Sequence, residues 1–215
     1  MTRPRAVLFD WDNTLVDSWD TIHDAMGYCF RQMGHEPWTF EQVKARTRLS
    51  LIEAFPPIFG ERWQEARQHY FDRFHTIHLE RIKPLPGVAA LLDDLAALGM
   101  PLAVVSNKTG ATLRKEAEHF GWTPRFAKLV GAGDASADKP AAAPILMALE
   151  AVGVPAGDHV WYVGDTGLDM QCAANAGCHG VLLHEAFADD PVLKQFAPAL
   201  RFADCAAFLT HIKGL

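Results

Sequence analysis

Ala6-Val7-Leu8-Phe9-Asp10-Trp11-Asp12-Asn13-Thr14-Leu15-Val16-Asp17-Ser18 is the stretch on which the reading of this chain turns. Four apolar residues in a row, without polar alternation, read as a strand buried on both faces. Asn13 and Thr14 end the run with turn chemistry. Two carboxylates, Asp10 and Asp12, are thereby set at the carboxyl end of a core strand, the edge of an open α/β sheet where ligands bind. Carboxylates this close repel, so a positive group is needed nearby to keep both ionised. A hard divalent cation with oxygen ligands meets that need, and Mg2+ suits it best. Alone, Asp-x-Asp is also ordinary turn chemistry, and the rest of the chain decides its meaning.

The 215 residues are 49% hydrophobic and 21% charged, enough for one large domain or for a core with a smaller companion. The formal net charge of -6, with no long run of one sign, argues against a nucleic-acid-binding surface. Cys29, Cys172, Cys178 and Cys205 show no Cys-x-x-Cys spacing. They read as buried thiols in a reducing compartment, not as a disulfide frame or zinc site. Residues 1–5 are too short, and too soon followed by Asp10, to act as a signal peptide. No apolar stretch approaches membrane-spanning length. The expectation is a soluble cytoplasmic protein with neither membrane nor nucleic acid as partner.

After Asp17 the pattern turns helical. Ile22, Ala25, Met26, Cys29, Phe30 and Met33 share one helical face, and Gly34 stops it. Thr39-Phe40-Glu41-Gln42 fits a capping box that opens a second helix. Residues 50–55 predict a short helix ending before Pro56-Pro57. A long helix follows over about 61–81, with Trp63, Ala66, Tyr70, Phe74 and Ile77 as its packing face. His69, His75 and His78 on that helix read as solvated or packed side chains, not a metal site. From 18 to 83 the sequence offers helices and no convincing strand.

Pro84-Leu85-Pro86-Gly87 closes the helical block. Beyond it, strands predicted at 102–105, 128–130, 160–163, 180–183 and 199–202 alternate with helices at 88–98, 109–120, 141–152, 168–176 and 204–211. Such alternation means right-handed βαβ units and a parallel sheet covered by helices. The fold class is α/β, a Rossmann-like parallel sheet over 1–17 and 84–215 with an all-helical cap domain inserted over 18–83. Three polar clusters accompany the strands: Ser106-Asn107-Lys108 after the second, Lys139-Pro140 before the helix that follows the third, and Gly164-Asp165-Thr166-Gly167-Leu168-Asp169 after the fourth. In a parallel sheet these ends share one edge. Alone, each has a plain reading: a strand-end cap, a solvated Asn-Lys turn, a helix start with proline at its first position, a simple turn. Together they supply every role an active site needs.

These four clusters, in this order and spacing, resemble the four motifs of the haloacid dehalogenase superfamily, and the inserted helices are similar to the small cap of its phosphoglycolate phosphatase subgroup. The resemblance covers nearly the whole chain. Asn13 departs from it, standing where the family usually has glycine; asparagine tolerates left-handed backbone, so the turn survives. Arg46-Thr47-Arg48 departs where related phosphatases often have a glycine, which bears on substrate and not on chemistry.

The resemblance implies a Mg2+-dependent phosphatase acting on a small phosphorylated metabolite, phosphoglycolate among the candidates. Asp10 would attack phosphorus and form an aspartyl-phosphate, and Asp12 would serve as general acid and base. Mg2+ would be held by Asp10, the Asp12 carbonyl and Asp165, with Asp169 acting through water or as a supporting partner. Ser106 and the backbone N–H groups of Trp11 and Asn107 would hold phosphoryl oxygens, and Lys139 would neutralise charge there. The inserted helices would close over the crevice, where Arg46 or Arg48 would pair with the rest of the substrate. Asp12 argues against a dehalogenase or a phosphonate hydrolase, neither of which uses that second aspartate. A phosphomutase on the same scaffold, and a binding or regulatory module without catalysis, remain the alternatives.

Overall fold

The structure is a computed structural model that describes residues 2–46, 51–184 and 190–215. The chain divides into two units, Met1–Val16 with Pro84–Leu215, and Asp17–Lys83. Its strands are β1 (Ala6–Phe9), β2 (Val16–Asp17), β3 (Lys83–Pro84), β4 (Leu102–Thr109), β5 (Lys128–Ala132), β6 (Val160–Gly164), β7 (His179–Leu183) and β8 (Leu200–Phe202). Its α-helices are α1 (Trp19–Gln32), α2 (Phe40–Arg46), α3 (Leu51–Ala54), α4 (Pro56–Phe59), α5 (Trp63–Arg81), α6 (Val88–Ala97), α7 (Gly110–His119), α8 (Ala143–Val152), α9 (Gly167–Asn175), α10 (Pro191–Gln195) and α11 (Cys205–Lys213).

Six strands form one parallel sheet in the order β5-β4-β1-β6-β7-β8. The chain moves outward from β1 to β4 and β5, then returns to lay β6, β7 and β8 on the other side. The reversal puts the topological switch point between β1 and β6, where α/β sheets hold ligands. All four residues of β1 are fully buried. Alternation sends them to two faces. Ala6 and Leu8 join a core with Ile145, Ala148 and Leu149 of α8 and Cys172 and Ala173 of α9. Phe9 meets Phe208 of α11 edge-on, with centroids 6.3 Å apart. Full burial of Val7, Leu8 and Phe9 contributes roughly 1.5–3 kcal/mol each, so the strand carrying Asp10 at its end is firmly seated.

Register fixes what surrounds that end. Phe9 pairs with Val104 and Val163, and the Asp10 amide donates to Val163 O at 2.8 Å. The expected strand at 102–105 runs on to Thr109 through an irregularity: Val105 pairs with Val130 and Thr109 with Ala132. Three residues of β4 thus oppose one of β5, Gly131, and Ser106-Asn107-Lys108 stand out of the regular ladder. Bulges of this kind re-aim side chains beside active sites.

Four elements were not foreseen. β2 and β3 pair as a ribbon, so Lys83 lies in a strand after all; two residues are too few to show a period. α4 begins at Pro56-Pro57, which suit the first turn of a helix. α10 is opened by Asp190, whose carboxylate accepts from the Val192 amide.

Within the helical unit, Thr39 and Gln42 form the expected reciprocal box, at 2.9 and 3.2 Å. α1 packs on α5 through Ala25, Met26, Cys29 and Phe30 against Ala66, Tyr70 and Phe74. Arg73 and Arg81 both pair with Asp24, and the Arg73 hydrogen bond holds that carboxyl below its usual value. His78 is buried and stacked on Phe74 at 5.4 Å, a packed histidine. All four cysteines are buried free thiols. No helix among the described residues is long and apolar enough to cross a membrane.

Candidate active site

Every core cluster singled out in the sequence lies in the sheet-containing unit. Asp10 follows β1, and the turn after it is tight: Leu15 N–H donates to Trp11 O at 2.9 Å, and Asn13 adopts φ 59°. Left-handed backbone at that residue favours glycine, and asparagine is among the side chains that best tolerate it.

Lys139 joins the clusters. Its ammonium lies 2.9 Å from Asp10 Oδ1 and 2.7 Å from Asp169 Oδ1, with 4% of the side chain exposed. It is presented by a clamp: the Asn107 amide donates to Lys139 O at 3.1 Å and accepts from Lys139 N–H at 3.0 Å. The Lys139-Pro140 peptide bond is cis. So the Asn107 side chain holds the lysine segment, beyond the backbone role expected of it. Ser106 is buried at 4% exposure, and its Oγ accepts from Lys108 N–H.

Asp165 follows β6 and accepts from Thr14 Oγ1 at 3.2 Å. Asp169 opens α9 in a capping box: Thr166 N–H and Oγ1–H both donate to its Oδ2, at 3.1 and 2.6 Å. Its Oδ1 takes Lys139 and lies 3.1 Å from the Tyr162 hydroxyl, which also reaches Val105 O. A carboxylate offers about four acceptor positions; three donors occupy this one, and the single Tyr162 hydroxyl proton is divided between it and Val105 O. The Gly167 amide, two residues before Asp169, donates to Asp190 Oδ2.

Electrostatics reflects three buried carboxylates around one ammonium. Burial drives the Asp10 carboxyl up to about 6; Lys139 pulls it down, while Asp169 and Asp12 push it up. Burial, with the charges of Asp169 and Asp10, also raises Asp165 well above the usual carboxylate range. For Lys139, burial would lower the pKa, but Asp10 and Asp169 outweigh it and hold the ammonium above the ordinary lysine value.

The residues fit a divalent cation. Asp10, Asp165 and Asp169 bring carboxylate oxygens within 4.8 Å of one another. Asp10 Oδ1 is buried and, despite its proximity to Lys139, accepts no aligned hydrogen bond. Hard oxygen donors with excess negative charge are what Mg2+ takes. Asp169 already takes Lys139 and the Thr166 amide and hydroxyl, so Asp10 and Asp165 have the most acceptor capacity left for it.

The sequence reading missed a second network. Lys108, read in isolation as a solvated turn residue, has 6% of its side chain exposed and spans Asp12 Oδ1 at 2.7 Å and Glu116 Oε2 at 2.6 Å. Lys108 lies within the β4 irregularity, between Val105 and Thr109. Glu116, on α7, is fully buried and accepts from the Trp11 indole at 2.7 Å. The spacing Thr112, Leu113, Glu116, Ala117 is an inward helical face, and it was the available signal. Arg46 ends α2 with its guanidinium 4.8 Å above the Trp38 ring; Arg48 lies outside the described residues.

Comparison with known proteins agrees with this geometry. Residues 7–183 match the family of haloacid dehalogenase-like hydrolases. A phosphoglycolate phosphatase from Xylella fastidiosa is 33% identical over 178 residues, covering 81% of this chain and 77% of the relative. Among solved structures, a haloacid dehalogenase superfamily hydrolase from Ehrlichia chaffeensis is 28% identical with a TM-score of 0.69, covering 100% of this chain and 98% of its own. A haloacid dehalogenase-like hydrolase from Streptococcus pneumoniae, 24% identical and covering 98% and 99%, shares the fold with a TM-score of 0.88. With its family match spanning most of the length and its acidic cluster at the switch point of the sheet, the chain belongs to the haloacid dehalogenase-like hydrolases.

Proposed function

We propose that this protein is a phosphoric monoester hydrolase that uses Mg2+ and a covalent aspartyl-phosphate to release phosphate from a small metabolite, with phosphoglycolate, the substrate named for its relatives, as the first candidate. The observation that carries the reading is the buried group of Asp10, Asp165, Asp169 and Lys139 at the sheet's switch point.

Phosphate monoesters resist hydrolysis because the phosphoryl group repels nucleophiles and the alkoxide leaves poorly. Asp10 supplies a carboxylate nucleophile: its oxygen bonds to phosphorus as the ester oxygen departs with the P–O electron pair. Asp12 gives that oxygen a proton. In the second half, Asp12 takes a proton from water, the water oxygen bonds to phosphorus, and the Asp10 carboxylate leaves unchanged. Lys139 holds Asp10 close and offsets phosphoryl charge, while Ser106 and the backbone N–H groups of Trp11 and Asn107 serve as donors to phosphoryl oxygens. The Asp10 and Asp165 carboxylates with the Asp12 carbonyl would hold Mg2+, which when bound neutralises charge on the phosphoryl oxygens. Asp169 acts as a strut that fixes Lys139 and the start of α9.

The helical unit is assigned the role of a cap that recognises the rest of the substrate, with Arg46 and Arg48 as partners for a carboxylate. Four buried thiols suit a reducing cytoplasm. The test is phosphate release across a panel of phosphorylated metabolites, with Mg2+ and with EDTA. Mg2+-dependent release of inorganic phosphate is expected; transfer of phosphate within a sugar phosphate would mark a mutase, and no turnover of any member would overturn the reading. Arg46→Ala and Arg48→Ala should lower kcat/KM for the best metabolite and leave p-nitrophenyl phosphate nearly unaffected.

A further inference from the structure

Lys108 stands between two carboxylates, Asp12 and Glu116, at 2.7 and 2.6 Å. Glu116 is wholly buried. A glutamate there destabilises the fold unless charged or polar partners satisfy it. Its partners include the Lys108 ammonium and the indole N–H of Trp11, which donates to the same oxygen at 2.7 Å. Trp11 is the residue between the two aspartates of the strand-end motif. Its ring packs edge-on against Trp122, centroids 5.9 Å apart.

The contacts close a circuit. It runs from the Asp12 carboxylate through Lys108 and Glu116 to the Trp11 side chain, then along one peptide bond back to Asp12. It fastens the catalytic turn to a helix 105 residues further along the chain. A purely structural link of that length would be served as well or better by apolar residues, since buried ion pairs contribute little net stability. Moreover, Lys108 belongs to the stretch of β4 that leaves its regular ladder.

We infer that Lys108 and Glu116 are positioning residues for Asp12, an inference that rests on the proposed function. The ammonium takes Asp12 Oδ1 and fixes the aim of the carboxylate that gives and receives the proton. Glu116 anchors the ammonium, and the Trp11 indole anchors Glu116. Asp10 is held separately, by Lys139. Loss of the circuit should therefore impair proton transfer to the leaving group while sparing the nucleophile and the metal requirement.

The experiment compares Glu116→Gln and Lys108→Met with wild type, with thermal melts confirming that each folds. It reads kcat/KM for the best alkyl phosphate and for p-nitrophenyl phosphate, along with the Mg2+ concentration for half-maximal rate. kcat/KM reports the steps up to leaving-group departure, and nitrophenolate departs without a proton. The alkyl phosphate should lose about 10- to 100-fold, the cost of a misdirected general acid. p-Nitrophenyl phosphate and Mg2+ half-saturation should change by less than about threefold, and Lys108→Arg should recover part of the alkyl activity. Equal losses on both substrates, a loss expressed in the Mg2+ requirement, or no loss would overturn the inference. If both variants fail to fold, Trp11→Phe carries the test, with a smaller shift in the same ratio expected and an unchanged ratio overturning it. Wild-type inactivity on every phosphomonoester would overturn the proposed function and this inference with it; an active wild type with unaltered variants would overturn this inference alone.

Discussion

Replacing Lys139 with methionine keeps most of the length of the side chain and removes its charge. In the wild-type protein that charge lies 2.9 Å from Asp10 and 2.7 Å from Asp169, and 4% of the side chain is exposed. Removing one partner of a buried, hydrogen-bonded ion pair costs about 3–5 kcal/mol, because the remaining charges stay buried without compensation. At about 2–4 °C per kcal/mol for a chain of this size, Lys139→Met should lower the Tm of the metal-free protein by roughly 6–20 °C at pH 7.5. The loss should depend on pH, with a fixed sign. Asp10 already titrates at about 6 because of burial, and Lys139 is the main influence holding it that low. Without the ammonium its folded-state pKa rises further above the unfolded value. The folded state then binds the extra proton, and stability falls as pH rises through the window between the two values. Each further unit of upward shift adds about 1.4 kcal/mol to the deficit at the alkaline end. Thermal melts in EDTA at pH 5 and pH 7.5 measure it: the deficit should be clearly larger at pH 7.5. A deficit equal at both pH values would refute the claim that Lys139 neutralises ionised carboxylates in this cluster.

Three other outcomes are expected from the same geometry. Asp12→Asn should reduce kcat/KM for alkyl phosphates by about 100-fold or more and for p-nitrophenyl phosphate far less; equal losses would argue that Asp12 is no general acid. The metal-free wild type should lose stability as pH rises from about 4 to 6, since Asp10 and Asp165 carry raised values in the folded state; the shift of Asp10 from 3.8 to about 6 alone corresponds to about 3 kcal/mol. Mg2+ needs the ionised carboxylates, so the Tm gain on adding it should be small at pH 5 and grow toward pH 7.5, and a pH-independent gain would contradict the site. Gly164→Ala would set a Cβ 2.3 Å from Asp169 Cγ; a loss of about 1–3 kcal/mol or more, with weakened Mg2+ response, is expected in melts and titrations, whereas wild-type behaviour would show that Asp169 can move freely.

Much of this site was readable from the sequence because its parts stand where the local pattern changes. The run Ala6-Val7-Leu8-Phe9 reads as a strand buried on both faces, and the residues just beyond a buried strand in a parallel sheet lie at the ligand edge. The same logic brings the clusters of Ser106, Lys139 and Asp165 to that edge. Thr39 and Gln42 announced their helix start because a capping box is a local, reciprocal structure. Glu116 was hidden by its neighbours: Arg114, Lys115 and Glu118 surround it with charge, so its membership of an inward face with Leu113 and Ala117 was overlooked. Lys108 depended on the β4 irregularity, which is a property of the pairing with β5 and leaves no period in the chain. Asn107 was assigned a backbone role, and its side-chain clamp on Lys139 spans 32 residues that no local pattern links. α10 carried the Asp190-Pro191 start signal in plain view but is too short for periodicity to mark.

In the proposed mechanism Asp10 carries the phosphoryl group during turnover. Acyl phosphates are reduced by borohydride, so a reaction quenched into borohydride during steady turnover of the best substrate, with peptide mapping of the product, measures it directly. Reduction of the Asp10 side chain to the alcohol, dependent on substrate and Mg2+, is expected, with no such product from Asp10→Asn, which should fold and be inactive. Reduction at a different carboxylate, or an active Asp10→Asn with no deamidation, would contradict it.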